Sequence, residues 1–168
     1  MDAEELLKRY ESGERDFRDV DLSGIDLSKA DLRDIDLSNA NLTKAKFKRT
    51  NLTCANLSHA NLNSTDLLAA NLNCTNLSNT NLNEASLLGA NLFCANLPAN
   101  LTNADLRSVK WEDADLGSII FPEISFNLSH AKLNSATLTG ANLTNVNLSH
   151  ANLSKAYLRY ASLCKANL

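Results

Sequence analysis

The 168-residue sequence has no apolar run that approaches the length of a membrane span, and its acidic, amphipathic start has no charged-then-apolar signal segment. The formal net charge is only −3, which argues against nucleic acid as a general partner. The four cysteines include no CxxC pair and do not fit a disulfide framework. We therefore expect a cytoplasmic protein that makes no direct contact with nucleic acid or membrane.

What the sequence has instead is a five-residue repeat. From Asp21 to Leu97 a Leu or Phe recurs at every fifth position, as in DLSGI DLSKA DLRDI, and a small or branched residue precedes each of these centres by two positions. Residues two apart point to the same side of an extended segment, so both should face inward while the other three turn the chain. Departures from the repeat, such as Cys54, Cys74 and Cys94, recur twenty apart, which predicts coils of four sides.

Units such as ADLRD, ANLTK, ANLSH and ANLSK resemble those of the pentapeptide-repeat family, and the resemblance covers roughly Asp16 to Leu168. It implies an all-β fold, a right-handed quadrilateral parallel β-solenoid, and the number of centres corresponds to about eight coils. The segment LLKRYESGERDF resembles the N-terminal cap of cyanobacterial members. The family includes DNA-mimicking proteins that protect gyrase and regulators that bind other proteins, so the fold alone does not select a function.

The N-terminal segment, residues 1–13, is predicted to be a capping α-helix. Asp2 and Glu5 have the spacing of a capping box, the apolar positions follow a helical stripe, and Gly13 is placed to end the helix. The first coil of a solenoid exposes an open end, so the helix should lie across that end as a lid. A partner-binding helix is the alternative.

The remainder, residues 14–168, is predicted to be the solenoid, with register breaks near 98–101 and 122–127. Each break carries one of the two prolines, Pro98 and Pro122. Proline removes a backbone donor, so it belongs where a β-ladder is interrupted. Each break could be a local bulge or a functional loop.

No catalytic, cofactor or metal site is predicted. No serine has a histidine and an acid placed as a triad by the twenty-residue spacing. His130 and His150 should form an outward pair, but two imidazoles without a carboxylate or a third ligand make a poor site. We expect no enzymatic activity and no cofactor.

Charge is uneven along the chain. Aspartate precedes the central leucine in the first coils, and neutral asparagine takes the equivalent places later; these acids are Asp21, Asp26, Asp31 and Asp36. Further on, Lys46 should lie between Asp26 and Asp66 in an ion-pair ladder, which leaves Lys48 and Arg49 unpaired. The two unpaired bases are either a weak anion contact or a solvated face.

Three surfaces depart from the polar repeat. The first is a candidate partner surface of outward apolar residues, Leu68, Leu88 and Phe93, whose alternative is ordinary surface leucines. The second is a candidate redox-sensitive column, Cys54, Cys74 and Cys94, whose alternative is a column of reduced thiols. The third is the uncapped C-terminal coil, where Leu153, Leu158, Leu163 and Leu168 could form an end-to-end homodimer unless the chain is truncated or extended there.

These features favour a non-enzymatic protein-interaction or scaffold module in a bacterial cytoplasm of cyanobacterial type, with a partner that the sequence does not identify. The alternative is a DNA-mimicking regulator or protector of a DNA-binding protein such as DNA gyrase. A mimic needs acidic columns that continue along the rod to reproduce phosphate spacing, and the acids here stop after the first coils.

Overall fold

The computed structural model describes residues 1–96 and 127–168. The two proline-marked register breaks fall on the segment between these ranges. The predictions made for the breaks, and the total of about eight coils, therefore lie outside the described residues.

The helix α1 spans Ala3–Glu11. The carboxylate of Asp2 accepts a 2.9 Å hydrogen bond from the backbone N–H of Glu5, as the capping spacing predicts. The chain leaves the helix through Gly13 at φ 98, a conformation that glycine adopts without steric strain. Leu6, on the apolar stripe of α1, is fully buried as part of the solenoid core, so the helix covers that end of the core.

Parallel β-bridges build the coils. Every bridge in the described residues joins positions twenty apart, and successive bridges lie five residues apart. The bridges from Asp16 to Asn96 define roughly four coils, and those from Asn127 to Asn167 define roughly two. The structure thus confirms the predicted four-sided coil of twenty residues.

Each side of a coil contributes a single bridged residue, so the described residues contain bridges and no longer strands. Three of every five residues are used to turn the chain. At Leu42, for example, the carbonyl accepts a 2.9 Å hydrogen bond from the N–H of Ala45, and Lys44 has φ 60. A positive φ at the third residue is the geometry of a type II turn, and it costs a non-glycine residue about 1–2 kcal/mol.

The central residues of the repeat form the core. They are 0–2% exposed from Phe17 to Leu92 and 0–1% exposed from Leu128 to Leu148. Complete burial of a leucine contributes roughly 1.5–3 kcal/mol relative to exposure, which outweighs the strain of one turn per repeat. Residues two positions earlier are buried or partly buried beside the centres, as predicted, and Ala60 is an example of a buried one.

Four described threonines take inward positions that alanine occupies in most other repeats: Thr50, Thr65, Thr75 and Thr80. The hydroxyls of the first three donate to main-chain carbonyls of the preceding coil, and the acceptors are Leu27, Leu42 and Leu52 at 2.7, 3.0 and 2.8 Å. The hydroxyl of Thr80 donates to the carbonyl of Leu77 in its own turn at 2.8 Å. The buried hydroxyls are therefore satisfied, which is the condition for keeping a polar group in a core.

Asparagines form ladders on the outside of the coils. The side-chain amide of Asn71 donates to Asn51 and that of Asn91 donates to Asn71, both at 3.3 Å. The Asn71 side-chain oxygen also accepts the backbone N–H of Asn73. These polar groups bind one another along the solenoid.

Across the described ranges, no helix has the length and apolar character that a membrane crossing needs.

Candidate functional site

One side of the first four coils combines positive charge with aliphatic surface. We call it the basic–apolar strip and define it by Lys29, Lys48, Arg49, Leu68 and Leu88. Backbone hydrogen bonds of 2.8 Å join these turns from coil to coil. The N–H of Lys29 donates to the carbonyl of Lys48, that of Arg49 to Leu68, and that of Ala69 to Leu88. The three cations are exposed and the two leucines are half-buried. At about 4.8 Å per coil, the basic part and the aliphatic part lie side by side.

The ion pairs on this side differ from the predicted ladder. Lys46 Nζ lies 3.5 Å from a carboxylate oxygen of Asp26, as expected. Asp66 pairs instead with Lys48, whose Nζ lies 3.1 Å from its carboxylate, so the prediction that Lys48 is unpaired is wrong. The long lysine side chain reaches across one coil spacing, whereas the prediction paired only residues that are twenty apart. Arg49 has no ion pair among the described residues.

The predicted apolar residues fall on two adjoining sides. Leu68 and Leu88 lie one above the other, and both retain partial exposure. Phe93 is 42% exposed and belongs to the next side, where its carbonyl accepts the N–H of Cys74 at 2.9 Å. Phe93 therefore lies beside the cysteines and outside the strip. Whether any of the three contacts a partner stays a prediction.

The carboxylates of the first coils are held by local hydrogen bonds. The Arg18 guanidinium, which donates to the carboxylate of Asp16, lowers the pKa of that carboxyl group to about 2. The backbone N–H of Ser23 lowers the pKa of Asp21. One coil further, Asn41 donates a 3.0 Å hydrogen bond to Asp21 and replaces the acid in that column. In the column that begins with Asp21, the bridged residues of the next three coils are all asparagine, so the negative charge of that column is confined to the first coil.

The cysteines Cys54, Cys74 and Cys94 are free and exposed. The N–H of Cys54 donates to the carbonyl of Asn73 at 2.9 Å, and Cys74 makes the equivalent bond to the next coil. The three residues therefore occupy one column, which we call the thiol column. Its redox sensitivity stays a prediction from the sequence.

The two C-terminal histidines are stacked. The rings of His130 and His150 are 4.9 Å apart at their centroids, with an interplanar angle of 19°. Within residues 1–96 and 127–168, no group of three or more His, Cys, Asp or Glu side chains is placed to hold a metal ion. The stacked pair is a consequence of the coil spacing.

A groove of about 540 Å³ lies between α1 and the first coils. Its polar groups bind one another: Arg33 pairs with Asp31 at 2.9 Å, and the Tyr10 hydroxyl donates to the carbonyl of Arg33 at 2.9 Å. The Arg15 guanidinium lies over the Tyr10 ring, 3.7 Å from its centroid. These contacts fasten α1 to the solenoid, and they offer no pairing of a nucleophile with a base.

The last coil exposes part of its core. Leu153, Leu158 and Leu163 are only half-buried, and Leu168 is 74% exposed. The predicted homodimer through this coil stays a prediction.

Two exposed tyrosines on the last coil were missed by the sequence analysis. Tyr157 is 66% exposed and Tyr160 is 76% exposed, and the Arg159 guanidinium lies over the Tyr160 ring. Their positions in the five-residue count, one before and two after Leu158, are outward positions and could have identified them.

The family model for pentapeptide repeats matches the chain in eight copies, over residues 16–53, 30–67, 50–87, 70–98 and 127–159. The chain belongs to the pentapeptide-repeat family. Members of this family form right-handed β-solenoids and are generally structural or interaction modules. The four-sided coils described above agree with that fold.

Solved structures of other pentapeptide-repeat proteins are similar to this chain. HetL, which is involved in heterocyst differentiation regulation in the cyanobacterium Nostoc sp. strain PCC 7120, is 29% identical over 100% of this chain and 95% of its own, with a TM-score of 0.64. The Nostoc PCC 7120 protein alr5209 is 31% identical over 60% of this chain and 88% of its own, with a TM-score of 0.36. QnrB1, a plasmid-mediated fluoroquinolone resistance protein, is 18% identical over 90% of this chain and 73% of its own, with a TM-score of 0.44. No protein with a curated description matches the chain.

Proposed function

We propose that this pentapeptide-repeat protein is an interaction module without catalytic activity, and that its basic–apolar strip binds a protein segment in which acidic side chains lie beside aliphatic ones. One observation carries the proposal: on one side of the solenoid, coils with exposed cations are followed directly by coils with half-buried leucines. The neighbouring sides present mainly amide ladders whose polar groups bind one another.

The charge of the strip favours an acidic partner. Lys48 is neutralised by Asp66, but Lys29 and Arg49 are exposed and have no ion pair among the described residues. Unpaired cations at the rim of an interface attract carboxylates and orient the incoming segment. The planar guanidinium of arginine can donate two parallel N–H hydrogen bonds to the two oxygens of a carboxylate.

The leucines supply the apolar anchor. Leu68 and Leu88 stand on rigid turns whose backbone is fixed by hydrogen bonds to the neighbouring coils. A docked aliphatic side chain would remove the remaining exposed surface of both, at about 25 cal/mol per Å² of apolar area. Because the turns are already ordered, little conformational entropy is lost on binding.

DNA mimicry is less well supported. Asp36 follows Asp16 in one column, but the other acidic columns of the first coils continue with asparagine or lysine, as where Asn41 follows Asp21 and Lys46 follows Asp26. A surface of alternating amides, ammonium groups and isolated carboxylates does not reproduce a continuous line of phosphates.

The likeness to HetL supports an interaction role. HetL matches this chain over its whole length at 29% identity, and it is involved in the regulation of cell differentiation. Regulation through binding to another protein is the role that we propose for this chain. The cytoplasmic location and the homodimer stay predictions.

Binding of defined peptides tests the proposal. Three short fluorescent peptides would be titrated with the full chain and followed by anisotropy: one with glutamates beside leucines, one with lysines beside leucines, and one with glutamates beside serines. We expect the first peptide to bind. We expect its affinity to be roughly tenfold higher than that of the peptides in which the leucines or the glutamates are replaced. Raising the salt concentration should weaken binding.

Matched variants locate the contact. Lys29→Glu with Arg49→Glu, and separately Leu68→Ser with Leu88→Ser, should each weaken binding of the first peptide about tenfold. Lys155→Glu with Lys165→Glu is the charge control, since both lysines occupy the same left-handed turn position as Arg49. Asn63→Ser with Asn83→Ser is the control for the leucine pair, at the equivalent position of the adjoining side. Equal binding to the strip variants and the controls would show that the strip is not the binding surface.

A further inference from the structure

The thiol column places three reactive groups of one kind on neighbouring turns. Cys54, Cys74 and Cys94 have φ values of 59, 55 and 56, so each side chain leaves its coil in the same direction. The N–H of Cys54 donates to the carbonyl of Asn73, and that of Cys74 donates to the carbonyl of Phe93, both at 2.9 Å. These bonds fix the spacing of the column at one coil per cysteine.

This spacing allows a disulfide between cysteines of neighbouring coils and excludes one between Cys54 and Cys94. Neighbouring coils are separated by about 4.8 Å, which lies within the Cα distance range of disulfides. Cys54 and Cys94 are two coils apart, at roughly twice that distance, which is beyond the limit of about 7 Å for a disulfide. Cys74 is therefore the necessary member of any bond within the column.

The thiols already interact in the reduced protein. Desolvation by nearby protein atoms raises the pKa of Cys54, and the neighbouring Cys74 adds to this increase. Desolvation likewise raises the pKa of Cys74, with a further contribution from Cys94. All three side chains are exposed, so each can change rotamer without displacing the core. Stacked thiols that face the same way need such a rotation before they can bond.

We propose that the thiol column is an oxidation site that forms one disulfide, between Cys74 and either Cys54 or Cys94, and leaves the third cysteine as a free thiol. The co-substrate is a low-molecular-weight disulfide such as oxidised glutathione. The site joins two adjacent coils on the side that also exposes Phe93. It is independent of the basic–apolar strip and of the partner proposed for it.

The reaction is a thiol–disulfide exchange in two steps. One column thiol loses its proton to water, and its thiolate attacks a sulfur of oxidised glutathione, so that a mixed disulfide forms and one glutathione thiolate leaves. The neighbouring column thiolate then attacks the protein sulfur of the mixed disulfide, which forms the coil-to-coil bond and releases the second glutathione. Two protein thiols are oxidised and one glutathione disulfide is reduced to two thiols. Because the raised pKa of the thiols lowers their thiolate fraction at neutral pH, the exchange is slow there and faster at alkaline pH.

Thiol counting and mass spectrometry test this site. The reduced full chain, at low concentration, would be incubated with oxidised glutathione at mildly alkaline pH, alkylated, digested and analysed. We expect two of the four thiols to be lost, with a mass decrease of two hydrogens in linked peptides that contain Cys74. Cys164 lies outside the column and serves as the internal reference, which should remain alkylated.

Single serine variants distinguish the column from general surface oxidation. The Cys74→Ser variant should keep its three remaining thiols. The Cys54→Ser and Cys94→Ser variants should each still lose two thiols to a disulfide. Serine is tolerated at this turn position, since Ser64 and Ser135 adopt the same positive φ. A wild-type chain that keeps four thiols or carries only glutathione adducts would overturn the proposal. Loss of two thiols by Cys74→Ser, or disulfide-linked dimers as the main product, would also overturn it.

Discussion

Replacement of Thr50 by valine should destabilise the protein by about 1 kcal/mol. The Thr50 side chain is fully buried, and its hydroxyl donates a 2.7 Å hydrogen bond to the carbonyl of Leu27. Valine has nearly the same shape, so the change removes the hydrogen bond and leaves the packing intact. The carbonyl of Leu27 also accepts the N–H of Ala30 at 3.2 Å, so the variant leaves no buried carbonyl without a partner. The loss should therefore stay within about 0.5–1.5 kcal/mol and not reach the penalty for an orphaned group.

The same reasoning extends to the other two core threonines that bond to a preceding coil. Thr65 and Thr75 donate to the carbonyls of Leu42 and Leu52, so the three bonds share no donor or acceptor. Their effects should add, and the triple valine variant should lose roughly 3 kcal/mol. Because the three sites lie in different columns of the solenoid, relaxation at one site does not compensate for another.

Urea denaturation followed by circular dichroism would measure these losses. In urea, 1 kcal/mol corresponds to a shift in the midpoint concentration of about 0.3–1 M. Thr43→Val is the matched control: the Thr43 hydroxyl donates to the side chain of Asn41 at the half-buried surface, where water can replace it. The control should change the free energy of unfolding by less than about 0.5 kcal/mol. A Thr50 variant as stable as the parent, or a control that loses as much, would refute the reasoning.

Three further predictions follow from core packing, from the acidic first coil and from the surface charge. Leu62→Ala should lower the free energy of unfolding by about 2–5 kcal/mol, and Leu158→Ala, in the half-buried last coil, by less than half as much, as measured in urea. The pKa of Asp16 is about 2 and lies below its unfolded value near 3.9, so its stabilising contribution is present above pH 4 and is lost as the pH falls to about 2. Titration by NMR should show this pKa, and Arg18→Ala should raise it towards 4. In a gyrase supercoiling assay the protein should neither inhibit nor protect at stoichiometric levels, and clear inhibition would favour DNA mimicry.

The core could be predicted from the sequence because the repeat is strict. A buried residue at every fifth position and a small partner two residues earlier leave few arrangements other than a coil with sides of five, and Leu62 and Ala60 lie where this count places them. The stacking of Leu68 on Leu88 followed from the twenty-residue spacing in the same way. Both are backbone properties, fixed by one register that does not change between Asp16 and Asn96.

The candidate site could be predicted only in part because long side chains do not follow the column count. Lys48 pairs with Asp66 in the next coil, although the count left it unpaired. Phe93 lies beside the thiol column, so the apolar surface is divided between two sides. Which cations remain free for a partner depends on side-chain reach and on competition among neighbouring carboxylates, and neither is encoded in the period of the repeat.

The sequence by itself determined the coil, the core and the identity of each outward column, because the hydrophobic period acts locally and repeats without interruption in the described coils. Only the tertiary structure decided which outward groups satisfy one another. The amide of Asn71 and the buried hydroxyl of Thr50, for example, meet partners from another coil, about twenty residues away in sequence. Distance and direction between coils fix these contacts, so the basic–apolar strip and the thiol column became defined surfaces once the coils were stacked.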